Sequence, residues 1–342
     1  MNKEFLAALE QVTKEKGIEK EVLIEAIESA LLSAYKKQFG NVSECRGVVN
    51  QKTGDMGVYM IKRVVLEVED PMTEITLEEA QKISVKYTVG DECEVNVMPA
   101  SFGRIAAQTA KQVVVQRIRE AERQNVSNEF SEKKGKLVSG FVQRIDPQRN
   151  NVMVRVGNED AVIGSNEQIP GERLNPGEEI LLFVMDVKDD ARGLQIILSR
   201  SHPGLVKELF KREVPEIADG TVEIKAIARE PGSRTKIAVF SNNPDVDSIG
   251  ACVGTKGMRV SNILKELRGE KVDIITYSED PAEYITAALA PATVTGIVVE
   301  EEEKSCRVTV PESQLSLAIG KEGQNARLAA KLTGWKIDIK SE

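Results

Sequence analysis

The sequence holds one histidine, His202, and one tryptophan, Trp335, in 342 residues. A single imidazole leaves no room for a histidine-rich metal centre, and general acid–base chemistry would fall to other side chains. The four cysteines (Cys45, Cys93, Cys252 and Cys306) lie far apart with no Cys-x-x-Cys pair. That spacing argues against zinc and for buried, reduced thiols, since an unpaired cysteine packs as a small hydrophobe. No apolar run approaches the roughly 18 residues that cross a bilayer. The start, Met1-Asn2-Lys3-Glu4, lacks the pattern of a signal peptide, so a cytoplasmic protein without membrane contact is expected. G-x-G-x-x-G and H-E-x-x-H patterns are also missing, and no bound cofactor or metal is expected. An excess of positive charge is absent too: 46 Lys+Arg face 54 Asp+Glu, a net charge of −8. At 29 % charged and 41 % hydrophobic residues the chain is globular, long enough for two to four domains.

What is present is an internal repeat. Residues 249–257 run apolar into Gly254-Thr255-Lys256-Gly257, and residues 317–323 run apolar into Gly320-Lys321-Glu322-Gly323, 66 residues later. A helical pattern follows each: Val260, Ile263, Leu264 and Leu267 in one, Leu328, Ala329 and Leu332 in the other. Gly269 and Gly334 stop these helices, and short strands at 271–275 and 336–339 close the copies. Upstream, strands are predicted at 222–227 and 236–240 around Pro231-Gly232, matched by 294–299 and 306–310. Helices at 205–212 and 282–289 precede them. The unit therefore reads αββααβ, twice, with only about four residues (278–281) between copies, so rigid packing of the two is expected.

A Gly-x-x-Gly between helices removes Cβ atoms where a sugar–phosphate backbone could approach, and the next helix offers unpaired N–H groups and a positive dipole end. Lys256, Arg259, Lys321 and Arg327 add positive charge nearby. A P-loop reading of residues 250–257 fails, with Thr255 where glycine is needed and Gly257 where Ser or Thr must hold magnesium. In their αββααβ setting the two loops resemble tandem type II K-homology (KH) domains, residues 201–278 and 279–342. That module clamps about four single-stranded nucleotides. The resemblance implies RNA contacts at Gly254, Thr255, Lys256, Gly257 and Arg259, and at Gly320, Lys321, Glu322, Gly323, Gln324, Asn325 and Arg327. Residues 201–342 carry 19 Lys+Arg and 22 Asp+Glu, so binding should depend on these loops rather than on bulk charge. Glu322 is expected to face outward, and Glu300 to Glu303 to form a hairpin tip.

Residues 133–200 differ. Five strands (137–142, 152–156, 161–163, 180–184 and 194–200) alternate with turns and predict a small OB-type barrel. The charged stretch 186–190 reads as a polar turn. Its Gly-x-x-Val-x-Gly-x-Val opening and Ile-Leu-Ser-Arg close resemble an S1 RNA-binding domain, but Asn150, Asn151 and Met153 fall where that family places aromatics and a histidine. RNA contact through Lys136, Arg144, Arg149 and Arg155, or a spacer role, follows.

Residues 1–126 read as an α/β unit with a connecting helix. Helices are expected at 5–12, ended by Gly17, and at 23–35, then a hairpin around residues 53–55 and strands at 64–68 and 94–98. A long helix at 102–125, capped by Ser101, carries Arg104, Lys111, Arg117, Arg119 and Arg123. Trp335 is assigned to core and His202 to a turn.

The multidomain α+β order of parts (α/β unit, long helix, S1-like barrel, two KH units) resembles the NusA family of bacterial transcription factors. The most specific stretches are residues 102–112, 225–236 and 314–328. The resemblance implies a non-enzymatic, monomeric factor that docks its N-terminal unit on RNA polymerase, holds nascent single-stranded RNA, meets other elongation and antitermination factors, and regulates pausing, termination and antitermination. Two alternatives stay open: an RNA-processing protein, and a ribosome-associated S1/KH protein.

Overall fold

The computed structural model describes residues 2–40, 45–190 and 193–342. Contacts divide the chain into two units, Met1–Val126 and Ser127–Glu342.

In the first unit, α1 (Asn2–Lys16) and α2 (Lys20–Phe39) precede β1 (Cys45–Val49), β2 (Met56–Val65), β3 (Glu74–Thr76), α3 (Leu77–Ile83) and β4 (Glu92–Asn96). The ten-residue β2 is the spine of the sheet, pairing antiparallel with β1 and β4 and parallel with β3. The apolar stripe of α2 (Leu23, Ile27, Leu31) meets Val58, Met60, Phe102 and Ala106 in one core. Gly47 lets β1 lie against α2, because a Cβ there would come within 2.2 Å of the Glu28 carbonyl oxygen. Of the predicted strand at 64–68 only residues 64 and 65 are in a strand, as the tail of β2. Helix α3 was not expected, although Thr76 caps it by accepting from the Glu79 amide at 3.2 Å. The long helix α4 spans Gly103–Glu132. Ser101 does not cap it: residues Ala100–Phe102 form a 3₁₀ turn that buries Phe102, and α4 continues directly from it.

The second unit opens with a closed barrel of order β5-β6-β7-β9-β8: β5 (Leu137–Ile145), β6 (Val152–Val156), β7 (Glu159–Ile163), β8 (Glu179–Asp190) and β9 (Gly193–Ser199). Val138, Val142, Val154, Ile163, Leu182 and Leu198 fill it, at alternate positions as a half-buried strand requires. Residues 186–190, read as a turn, instead extend β8 along β9. Charge in that stretch therefore does not end the strand.

Two αββααβ units follow. The first comprises α5 (Pro203–Glu213), the short α6 (Pro215–Ala218), β10 (Val222–Glu230), β11 (Arg234–Ser241), α7 (Ser248–Val253), α8 (Met258–Glu266) and β12 (Lys271–Thr276). The second comprises α9 (Pro281–Ala288), β13 (Gly296–Glu300), β14 (Ser305–Val310), α10 (Leu315–Ile319), α11 (Gln324–Thr333) and β15 (Lys336–Ser341). In each sheet the first two strands are antiparallel and the last joins in parallel. His202 is the N-cap of α5, its Nδ1 accepting from the Gly204 amide at 3.0 Å while its ring stacks on Phe183 at 4.9 Å. The four cysteines are buried and unpaired. Trp335 packs against the core of the second unit. No helix of the described residues is long and apolar enough to cross a membrane.

The joints are built from buried chemistry. Arg200, fully buried at the end of the barrel, reaches Glu172 at 2.6 Å, the Leu181 carbonyl at 2.6 Å and Glu266 of α8 at 3.0 Å. Arg229 of β10 grips Glu270 with two 2.9 Å bonds and donates to the Arg200 and His202 carbonyls. Between the repeats, Ala228, Ala238 and Ile275 of the first sheet join Tyr284, Ile285, Leu328 and Leu332 of α9 and α11 in a single core.

Candidate nucleic-acid interface

The two Gly-x-x-Gly loops share one backbone. Helix α7 stops at Gly254 (φ 73°, ψ 173°) and α10 at Gly320 (φ 77°, ψ 171°), a region open only to glycine. Lys256 (φ 54°, ψ 26°) and Glu322 (φ 54°, ψ 27°) then sit in the left-handed region, as do Gly257 (ψ 15°) and Gly323 (ψ 15°). Helices α8 and α11 start from these glycines with no side-chain cap. Their first N–H groups and dipole ends therefore stand behind each loop, the arrangement that attracts an anion.

What braces each loop differs. Under the first, Arg259 lies against Gly254, donates to the Ala251 carbonyl at 2.6 Å and pairs with Glu216 at 2.8 Å. Under the second, the same position is Asn325, whose buried amide donates to the Ala318 and Leu289 carbonyls at 3.1 and 3.0 Å. Burial pushes the Cys252 thiol, on α7, up to about 12, so it stays protonated.

Models of a NusA N-terminal domain, a NusA-like first KH domain and a NusA-like second KH domain match residues 4–124, 200–277 and 281–342. The chain is 53 % identical to the transcription termination/antitermination protein NusA of Bacillus subtilis, over all of this chain and 92 % of that one. The chain belongs to the NusA family. The Thermus thermophilus NusA is 44 % identical, over 98 % of this chain and 89 % of that protein. The solved N-terminal domain of Bacillus subtilis NusA is 56 % identical and covers 36 % of this chain and 99 % of its own, with a TM-score of 0.31. The two αββααβ units are thus NusA-type KH domains (KH1 and KH2 below), a module that indicates RNA binding.

Within this chain the expected contact residues differ in how free they are. Thr255, Lys256, Lys321 and Glu322 are exposed at the loop tips, with Gly257 and Gly323 half-buried behind them. Arg259, Gln324 and Arg327 are partly committed within the protein. Arg327 pairs with Glu230 of KH1 at 2.7 Å and donates to the Glu322 carbonyl at 3.1 Å. Gln324 donates to Glu230 and to Ser233, both at 2.7 Å. Asn325, expected at the RNA surface, is instead buried as a brace and offers no surface to RNA. On the barrel, Arg155 pairs with Asp160 at 3.0 Å and Arg144 points its Nε at the Met153 sulfur at 2.8 Å. Sequence reasoning missed the exposed aliphatics beside the loops, Met258 after the first and Leu317 and Ile319 before the second. Their signal was an apolar residue on a short helix off the core spacing.

Proposed function

We propose that this chain is a non-enzymatic transcription elongation factor that binds RNA polymerase through its N-terminal unit and holds nascent single-stranded RNA on KH1 and KH2. Through those two contacts it regulates pausing, termination and antitermination, in company with other elongation and antitermination factors. The observation that carries the RNA half is the matched main chain of the two loops, each placing exposed lysine ahead of an uncapped helix. Met258, Leu317 and Ile319 supply aliphatic surface for the bases. Tip contacts belong to Thr255, Lys256, Gly257, Lys321 and Gly323. With a net charge of −8, general attraction to RNA is small, and tethering to polymerase supplies the local concentration instead. The test replaces Lys256 and Lys321 together by Asp and measures fluorescence anisotropy of a labelled single-stranded oligoribonucleotide. Two charge-assisted contacts turned repulsive should weaken binding by about 10- to 100-fold with the circular dichroism unchanged. Unchanged affinity would remove the loops from the interface. Crosslinking the full chain to a stalled polymerase carrying labelled RNA tests the polymerase half.

A further inference from the structure

Arg327 looks from sequence like a cation offered to RNA, yet its guanidinium is engaged. Its Nε meets Glu230 Oε1 at 2.7 Å, and its Nη1 donates to the carbonyl oxygen of Glu322, the left-handed residue of the second loop. Glu230 ends strand β10 of KH1, so the charge that answers Arg327 comes from the neighbouring domain. Its other oxygen takes the Gln324 amide, from the residue immediately after Gly323. Arg327 remains about half exposed while Glu230 is half-buried. The arginine is the more open member of the pair, 57 % exposed against 30 % for Glu230, and it adjoins the loop.

We propose that Glu230 competes with an RNA phosphodiester for Arg327, and so sets the affinity of the second loop. This rests on the reading of the loops as RNA contacts. A phosphate arriving at Gly320-Lys321-Glu322-Gly323 meets a cation already neutralised. It draws Arg327 only by displacing a carboxylate of the same charge. KH1 thereby tempers KH2, although their backbones at the loops match. The first loop has a parallel in Arg259 with Glu216, but there both partners lie within KH1 and Arg259 is turned under the loop.

The test is Glu230→Gln, which keeps the amide-sized group and removes the charge. Binding of a fluorescein-labelled single-stranded oligoribonucleotide should tighten by about two- to fivefold, the range set by releasing one exposed ion pair. Its dependence of log K on log salt should steepen by about 0.7, one added phosphate contact on a single strand. Arg327→Gln in that background should abolish both gains. A purely structural latch would move neither in this direction: loosening the joint would weaken binding and leave the salt slope alone, and unchanged or weaker binding in Glu230→Gln overturns the proposal. Lys321→Asp measured alongside separates the two levels. If it binds as tightly as the parent chain, the loop reading fails. If it binds more weakly while Glu230→Gln gains nothing, only the competition is refuted.

Discussion

KH1 and KH2 present the same strand positions to opposite fates. Lys236 stands opposite Asp273 in the first sheet as Arg307 stands opposite Asp338 in the second. Lys236 is fully buried, donating to Asp273 at 3.0 Å and to the Ala290 carbonyl at 2.7 Å, whereas the Arg307 side chain is 64 % exposed. One strand over, Ala228 is 0 % exposed and its counterpart Val298 is 61 % exposed. The difference is what covers the sheet. KH2 lays α9 and α11 over the outer face of the KH1 sheet, so KH1 needs small residues and paired charges there. The corresponding face of KH2 carries Arg307, Asp338, Lys336 and Lys340 in the open. One fold serves as a keystone in the first copy and as a solvated end face in the second, by changes at a few strand positions.

The comparison breaks most severely at Arg229. Arg229→Met leaves the buried Glu270 carboxylate with only the Thr235 hydroxyl and the Gly232 amide. Losing one partner of a buried pair should cost about 3–5 kcal/mol in urea unfolding. A smaller but more pointed test exchanges residues between the copies. Ala228→Val should overpack the covered face and cost about 1–3 kcal/mol, while Val298→Ala in the open face should stay within about 0.5 kcal/mol. Equal effects would dissolve the distinction between covered and open faces. The smallest effect concerns pH. The bond from Arg327 holds the Glu230 carboxyl below the usual glutamate value of 4.5, against the opposing push of burial. A depressed carboxyl stabilises the fold at neutral pH, and that contribution is lost as pH falls below about 4.5. The stability gap between the parent chain and Glu230→Gln should therefore be at most about 0.5 kcal/mol at pH 7, since the pair is partly solvated. It should close in acid, as followed by urea titration.

Much of this fold was legible because its signals are local. Glycines 254, 257, 320 and 323 mark both loops, and the spacing of Val260, Ile263 and Leu267 marks the helix after the first. The strands of the barrel alternate as β-periodicity requires. Errors arose where two local signals compete. The charges of residues 186–190 suggest a turn, but the ladder from β8 to β9 carries the strand through them. Ser101 is a good capping residue, overridden because burial of Phe102 winds the preceding turn more tightly. Helix α3 did carry a capping signature, Thr76 with Glu79, on a segment too short to show a period. The partners of Arg327, Gln324 and Asn325 were beyond reach. Glu230 lies 97 residues from Arg327, and Leu289 lies 36 from Asn325, so a polar residue beside a loop reads as a ligand contact until the fold shows what it already holds.

Helix α11 touches its own sheet and the sheet of KH1, and this governs how the protein can be cut. Severing the chain near residue 279 would strip the cover from Ala228, Ala238 and Ile275 on one fragment and bare the matching side of Leu328 and Leu332 on the other. Both fragments would then expose adhesive apolar skin, so studies by dissection should keep 201–342 as a single piece.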